Sequence, residues 1–202
     1  MTQTAINHIS YNNSEKAKIR DYILNHAGQG KAYLELYGNG ESYSIAKKKG
    51  INVLSIDDGR QEHNQRRLKK ELKGKGRMFI SLQDLCKSKM KRLNDVMWLD
   101  YCGILNKDIF KDLMVIPNIM AKKGLVFVTF RCGREYFFPR GSSRELIKFG
   151  VRFLMKKHMR AEGIKLKDTF YKEYQSPPKG KSKKGTTRMC VWGFSWIKNK
   201  TK

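Results

Sequence analysis

Apolar positions along the chain follow two periods. Behind Ser14, a capping residue, Ile19, Tyr22, Ile23 and Ala27 recur at helical spacing and predict a first helix, broken at His26–Gly30. From residue 31 onward, short apolar runs alternate with helical patterns. Lys31–Tyr37, Asn52–Ile56, Arg77–Leu82, Asp95–Leu99 and Gly124–Phe130 read as strands. The last of these is apolar throughout, as a strand covered on both faces should be. Between them Ser42–Lys49, Gln61–Leu72 and Asp108–Ala121 read as helices, with Pro117 ending or kinking the third. A long helix, Ser143–Glu162, is followed by Thr169–Tyr174 and Arg188–Ile197. These two strands are joined by the polar stretch Ser176–Thr187 and read as an antiparallel pair at a sheet edge. The alternation predicts an α/β fold, a doubly wound and mostly parallel sheet of about seven strands with an antiparallel C-terminal pair. One domain over residues 1–202 is expected: an N-terminal helical segment (1–30), a ligand-binding half (31–130), and a basic helix with the closing strands (131–202).

Composition narrows the partners. Of 202 residues, 43 are Lys or Arg and 18 are Asp or Glu, a formal net charge of +25. Such a surplus repels itself, and a polyanion relieves it; nucleic acid is the expected partner, through counterion release from its phosphates. Apolar residues at 40% exclude a disordered chain. The longest apolar stretch, Leu125–Phe130, is far short of the roughly 20 residues of a membrane span. Residues 1–10 show neither a basic segment nor an apolar run, so no secretory leader is expected. Four cysteines stand far apart without a CxxC pair, which predicts reduced thiols and a cytoplasmic protein. The four histidines have no metal-ligand spacing, and no metal is assigned.

The charge is distributed in definite places. Arg60–Arg77 is strongly basic, and Lys179–Lys184 holds four lysines. After the fifth strand, Arg131, Arg134 and Arg140 are interleaved with Tyr136, Phe137 and Phe138, a pattern suited to holding phosphates and stacking bases. On the long helix Arg144, Lys148, Arg152, Lys156 and Arg160 recur every four residues and form one slanting stripe. Leu146, Ile147, Val151, Phe153 and Leu154 are expected on its core side.

The segment 33–58 carries the chemistry. A strand bears an acid, Glu35, then Tyr37, then the turn Gly38-Asn39-Gly40, and then a helix. A second strand ends at Asp57-Asp58-Gly59. Glycines let the backbone turn tightly and approach a ligand closely, and an acid at the end of the second strand can bind both hydroxyls of a ribose.

With these residues the chain resembles the class I, Rossmann-like, S-adenosylmethionine-dependent methyltransferases. The acid-led loop Glu35–Gly40 is similar to their first motif, Asp57 to the second, and Ser81-Leu82-Gln83-Asp84-Leu85 to a third that contacts adenine. Trp98-Leu99-Asp100-Tyr101-Cys102-Gly103 is similar to the motif of their fourth strand. The likeness spans roughly residues 15–197 and rests on order and spacing. The loop glycines fall three and five positions after Glu35, where the family has four and six, and Tyr37 stands where a small residue is common. The resemblance implies S-adenosyl-L-methionine as cofactor, held by Glu35, Tyr37, Gly38, Asn39, Gly40, Asp57, Asp58, Asp84 and Leu85. It places Asp100 and Tyr101 at the transferred methyl as catalytic residues. With the charge, it implies methyl transfer to RNA or DNA, with Arg131, Arg134, Arg140, Arg144, Lys148 and Arg152 on the nucleic acid. In the family, methylation of base amino groups typically uses an (Asp/Asn)-Pro-Pro-(Tyr/Phe) string. Asp100-Tyr101 supplies an acid and an aromatic without the prolines. This, with the altered loop, keeps open an inactive methyltransferase-like module that only binds nucleic acid or protein.

Overall fold

The computed structural model describes residues 14–38, 40–57, 69–89, 92–104, 107–131, 144–176 and 187–198, with side chains at 102–104, 107, 144–151, 176 and 187 outside that description. The predicted Gln61–Leu72 helix lies largely outside the described residues. So do Asn39, Asp58, Arg134, Arg140 and the Lys179–Lys184 loop.

Helix α1 (Ser14–Ala27) opens the fold. It is followed by β1 (Ala32–Leu36), α2 (Glu41–Lys48), β2 (Asn52–Asp57) and β3 (Arg77–Phe79). Then come α3 (Leu82–Lys87), β4 (Asn94–Ile104), α4 (Lys107–Val115), a 3-10 turn (Ile116–Ile119) and β5 (Met120–Arg131). Helix α5 (Arg144–Ala161), β6 (Ile164–Ser176) and β7 (Thr187–Lys198) complete it. The seven strands form one sheet in the order β3-β2-β1-β4-β5-β7-β6. The first five are parallel, and β7 runs antiparallel to both β5 and β6. The expected fold class is the observed one.

Several boundaries differ from the pattern reading: β3 ends at Phe79 and not Leu82, β4 runs on to Ile104 and not Leu99, β6 starts at Ile164 and not Thr169, and helix α3 is additional. The helix expected to reach Ala121 ends at Val115, and Pro117 sits in the 3-10 turn. Proline lacks the N–H that an α-helix needs and disfavours helical geometry in the residue before it. Strand β5 therefore starts four residues early, at Met120. Among the described side chains of α5 the buried ones are Met155 and Met159, whereas Phe153 is 54% and Leu154 is 40% exposed. The core side predicted for those two residues is thus corrected. The sheet meets the helix along the stripe of Met155 and Met159, one turn apart, and Phe153 and Leu154 turn away from it.

Alternation along each strand sorts the core into two layers. One face carries Leu34, Met97, Leu99, Val126, Val128 and Trp196 against α3, α4 and α5. The other carries Tyr33, Val96, Trp98, Phe127 and Val191 against Ile19, Ile23 and Ala27 of α1. Glycines mark the tight contacts between strands. A Cβ on Gly124 would lie 2.0 Å from the carbonyl oxygen of Asp95 in β4. Backbone cannot yield there without breaking the β4–β5 ladder. Gly124→Ala is expected to cost about 3 kcal/mol, read as a lowered midpoint in urea denaturation; an unchanged midpoint would contradict this packing.

The cysteine expectation is met only in part. Cys86 keeps its thiol, which donates to the Val115 carbonyl, whereas Cys190, buried in β7, is disulfide-bonded. No helix among the described residues is long and apolar enough to cross a membrane.

Candidate active site

In an open α/β sheet, ligands sit at the carboxyl ends of the parallel strands. Pairing places Ser55, Glu35 and Trp98 in one row across β2, β1 and β4. One step further toward the carboxyl ends, Asp57 and Asp100 share the next row on the same face. They are separated by two strand spacings, roughly 10 Å, with position 37 between them. Asp100 is also in register with Thr129 of β5.

Asp100 is the most informative residue of this row. Its Oδ2 accepts an ion pair from Lys16 Nζ of α1 at 2.6 Å, and its side chain is only 15% exposed. Its Oδ1 is buried and has no hydrogen-bond partner among the described residues. A buried acceptor without a donor is costly, and native proteins retain few of them. Just beyond Asp100 the β4–β5 register shifts, a bulge between Asp100 and Ile104. Bulges often re-aim a strand beside an active site.

Tyr101 does not join Asp100. Neighbours on a strand point to opposite faces, and Tyr101 is buried in the opposite layer, where its hydroxyl donates to Asp112 Oδ2 at 3.2 Å. The structure therefore separates the two predicted catalytic residues. The cause is that β4 continues through Ile104, where the motif reading ended it at Leu99.

Glu35 lies one row deeper, 1% exposed. Tyr33 Oη donates to its Oε2 and Ser55 Oγ to its Oε1, both at 3.0 Å. Burial pushes its carboxyl up to about 8; the two hydroxyl donors oppose that rise, nearby Asp100 adds to it, and Arg20 opposes it. At neutral pH Glu35 is a neutral acid that ties β1 to β2 beneath the loop. Burial and Glu35 together raise the Tyr33 phenol well above its usual range, so it stays a donor.

Helix α1 supplies what the pattern reading passed over. Lys16 pairs with Asp100 and, one turn on, Arg20 Nη1 pairs with Glu41 Oε1 at 2.7 Å. Glu15 pairs with Lys172 of β6. These contacts hold the first turns of α1 over the carboxyl ends of β1 and β4. The available signal was two cations, Lys16 and Arg20, at helical spacing within the apolar stripe of Ile19 and Ile23.

The loop after β1 departs from an open cradle. Gly38 and Gly40 both take left-handed φ, 54° and 77°. A Cβ on Gly38 would meet nothing within 4 Å, so the backbone there is bare. A Cβ on Gly40 would lie 2.6 Å from Tyr37 Oη, because the Tyr37 ring folds back over it. Tyr37 is buried and packs with Leu72, next to the half-buried Tyr43 and Phe79. Bare backbone at Gly38, Asp57 at the end of β2 and the unsatisfied Asp100 oxygen fit an extended nucleoside-containing cofactor. The Tyr37 ring narrows its bed.

The remaining predicted site residues are placed as follows. Asp84 is exposed in the first turn of α3, where its N–H donates to the Ser81 hydroxyl and that hydroxyl donates to its carboxylate. Leu85 is fully buried and its N–H donates to the Ser81 carbonyl, which leaves it no free group for a ligand. Arg131 is exposed at the end of β5. Arg152 and Lys156 both bond Asp168 of β6, so these two members of the stripe are tied to the edge strand. Side chains of Arg144 and Lys148 lie outside the description. Among the described residues no cluster of three metal-ligating side chains occurs.

No family model matches the sequence, and no curated protein aligns with it significantly. Many solved structures share its fold. A candidate RNA methyltransferase of Pyrococcus horikoshii superposes with a TM-score of 0.58 at 16% identity, over 95% of this chain and 87% of that one. An rRNA methylase of Streptococcus thermophilus gives 0.54 at 10% identity, over 90% and 96%. TYW2 of M. jannaschii, solved with AdoMet, gives 0.52 at 12% identity, over 91% and 76%. The strand order, the reversed β7 and these superpositions define the fold as that of the class I S-adenosylmethionine-dependent methyltransferases.

Proposed function

We propose that this chain is an S-adenosylmethionine-dependent methyltransferase acting on nucleic acid. The observation that carries the reading is the buried Oδ1 of Asp100 at the carboxyl end of β4, which has no partner among the described residues, with Oδ2 fixed by Lys16. A carboxylate held by one oxygen presents the other as a fixed acceptor. It can orient an amine or hydroxyl donor of a substrate and accept charge as that donor becomes a nucleophile. When bound, the cofactor would supply an electrophilic sulfonium methyl. Gly38 would border its amino-acid part and Asp57 its ribose. The first turns of α1, clamped by Lys16, Arg20 and Glu15, limit water at the row of Asp57 and Asp100. The net charge of +25 favours a nucleic-acid substrate, and the likeness to rRNA and candidate RNA methyltransferases agrees with RNA.

Titration calorimetry with S-adenosylhomocysteine tests the cofactor part. Binding to wild type, weakened about tenfold or more by Asp57→Ala, is expected; no binding at about millimolar ligand, a free energy near 4 kcal/mol, would overturn it. Incorporation of labelled methyl into bulk RNA or DNA tests the reaction. A second reading, a non-catalytic binding module, draws on the Tyr37 ring folded over Gly40. It requires that labelled methyl appear on neither substrate while nucleic acid is still bound.

A further inference from the structure

The end of the sheet remote from Asp57 and Asp100 carries charge that the proposed site does not use. Strand pairing puts Lys123 of β5, Ile197 of β7 and Lys165 of β6 in one row, and Leu125, Ser195 and Lys167 in the next. Residues in register across a sheet share a face. This is the face that α1 covers higher up, where Tyr22 stacks on Phe170 and meets the edge of Phe127. The cover stops short of the corner: Lys123, Lys165 and Lys167 are exposed and Ile197 is 58% exposed. Around the edge, Lys165 joins Lys156 and Arg160 in lining a hollow floored by Gly163, Ile164 and Leu166. The acids nearby in sequence are Glu162, exposed in the turn, and Asp168, whose carboxylate is engaged by Arg152 and Lys156.

We propose that this corner is a second contact for the nucleic acid, holding phosphate backbone at a distance from the reacting nucleotide. The inference rests on the nucleic-acid reading above and adds a substrate class. Lysines from two strands flank the exposed Ile197, and among the described residues in these two rows no acid stands between Lys123, Lys165 and Lys167. That is the composition of a phosphate contact. A membrane-surface site would show a broad apolar face with aromatic anchors. Lys123 is six residues below Thr129, the register partner of Asp100, so the two contacts are roughly 20 Å apart along the strand. A mononucleotide or dinucleotide cannot bridge that gap. A duplex needs about six base pairs to bridge it, at about 3.4 Å per base pair, and an extended single strand needs fewer nucleotides, so the substrate is a nucleic acid longer than a dinucleotide.

The test is fluorescence polarisation of the full chain with a labelled RNA hairpin of about 20 base pairs and with a dinucleotide, each across a salt series. The triple variant Lys123→Gln, Lys165→Gln, Lys167→Gln is compared with a control triple at exposed lysines elsewhere, Lys47→Gln, Lys48→Gln, Lys87→Gln. Expected for the corner triple is about tenfold or greater loss of hairpin affinity and a log–log salt slope shallower by about two to three, with dinucleotide binding unchanged. The control triple changes the slope by less than about one. Equal losses in both triples would overturn the corner and leave only bulk charge, as would wild-type affinity in the corner triple. Wild type that ignores the hairpin but binds vesicles with anionic headgroups would overturn the nucleic-acid reading itself. Circular dichroism melts confirm that both triples fold, since all six side chains are exposed.

Discussion

Asp100→Ala will lower the rate of methyl transfer about 10²- to 10³-fold while leaving thermal stability unchanged or raised. The loss is the size seen when a positioned base or a fixed electrostatic partner is removed. The stability result is the diagnostic half. In the folded protein Asp100 Oδ1 is buried and lacks a partner among the described residues, a cost of about 1–3 kcal/mol that alanine relieves. The lost Lys16 pair offsets part of this, but Lys16 is 32% exposed and can rehydrate. A residue kept at a cost to stability is the mark of a functional site. Asp100→Asn keeps an acceptor at Oδ1 and should retain more activity than alanine. Single-turnover transfer of labelled methyl, paired with melting curves, checks all three statements. Retained activity in Asp100→Ala, or a collapse of its fold, would remove this residue from the mechanism.

The second large effect concerns Glu35 and pH. Its carboxyl titrates at about 8 in the folded protein and at an ordinary 4.5 once exposed by unfolding. Below pH 4.5 both states are protonated and the side chain imposes no penalty. Between 4.5 and 8 the unfolded chain releases the proton while the folded chain keeps it, so stability falls as pH rises. Above 8 both are ionised and the loss is complete. Over three pH units this is roughly 4 kcal/mol. Glu35→Gln removes the titration. Relative to wild type it should therefore gain roughly 4 kcal/mol between pH 5 and pH 8 in urea denaturation. A difference that does not change with pH would mean that Glu35 is already ionised in the fold.

Much of the architecture was legible along the chain. The apolar runs at 53–56, 96–99 and 125–130 are strands because a doubly covered strand must be apolar on both faces. The closing pair was visible as two apolar stretches around a polar loop. The candidate site was legible only in part. Asp57 and Asp100 stand out in the sequence because each closes or follows an apolar run, and the structure sets both in one row at the carboxyl ends of β2 and β4. Tyr101 was grouped with Asp100 by adjacency, yet adjacency on a strand means opposite faces. Asp84 read as a ligand residue, and in the structure it caps a helix with Ser81. Lys16 and Arg20 were passed over, since cations on a helix usually face water.

What the sequence by itself determined is therefore periodic and local: the elements, their order, the glycines of the loop and the surplus of positive charge. These follow from backbone geometry and from which residues prefer water, both readable within a few positions. Only the tertiary structure decided what depends on residues distant in the chain. Helix α1 brings Lys16 to Asp100, 84 positions away. Burial between β1 and β2 turns Glu35 from a ligand candidate into a neutral structural acid. The Tyr37 ring closes over Gly40, and the lysines of β5 and β6 converge because β7 runs between them. Each of these is a matter of strand register and desolvation, which no local pattern encodes.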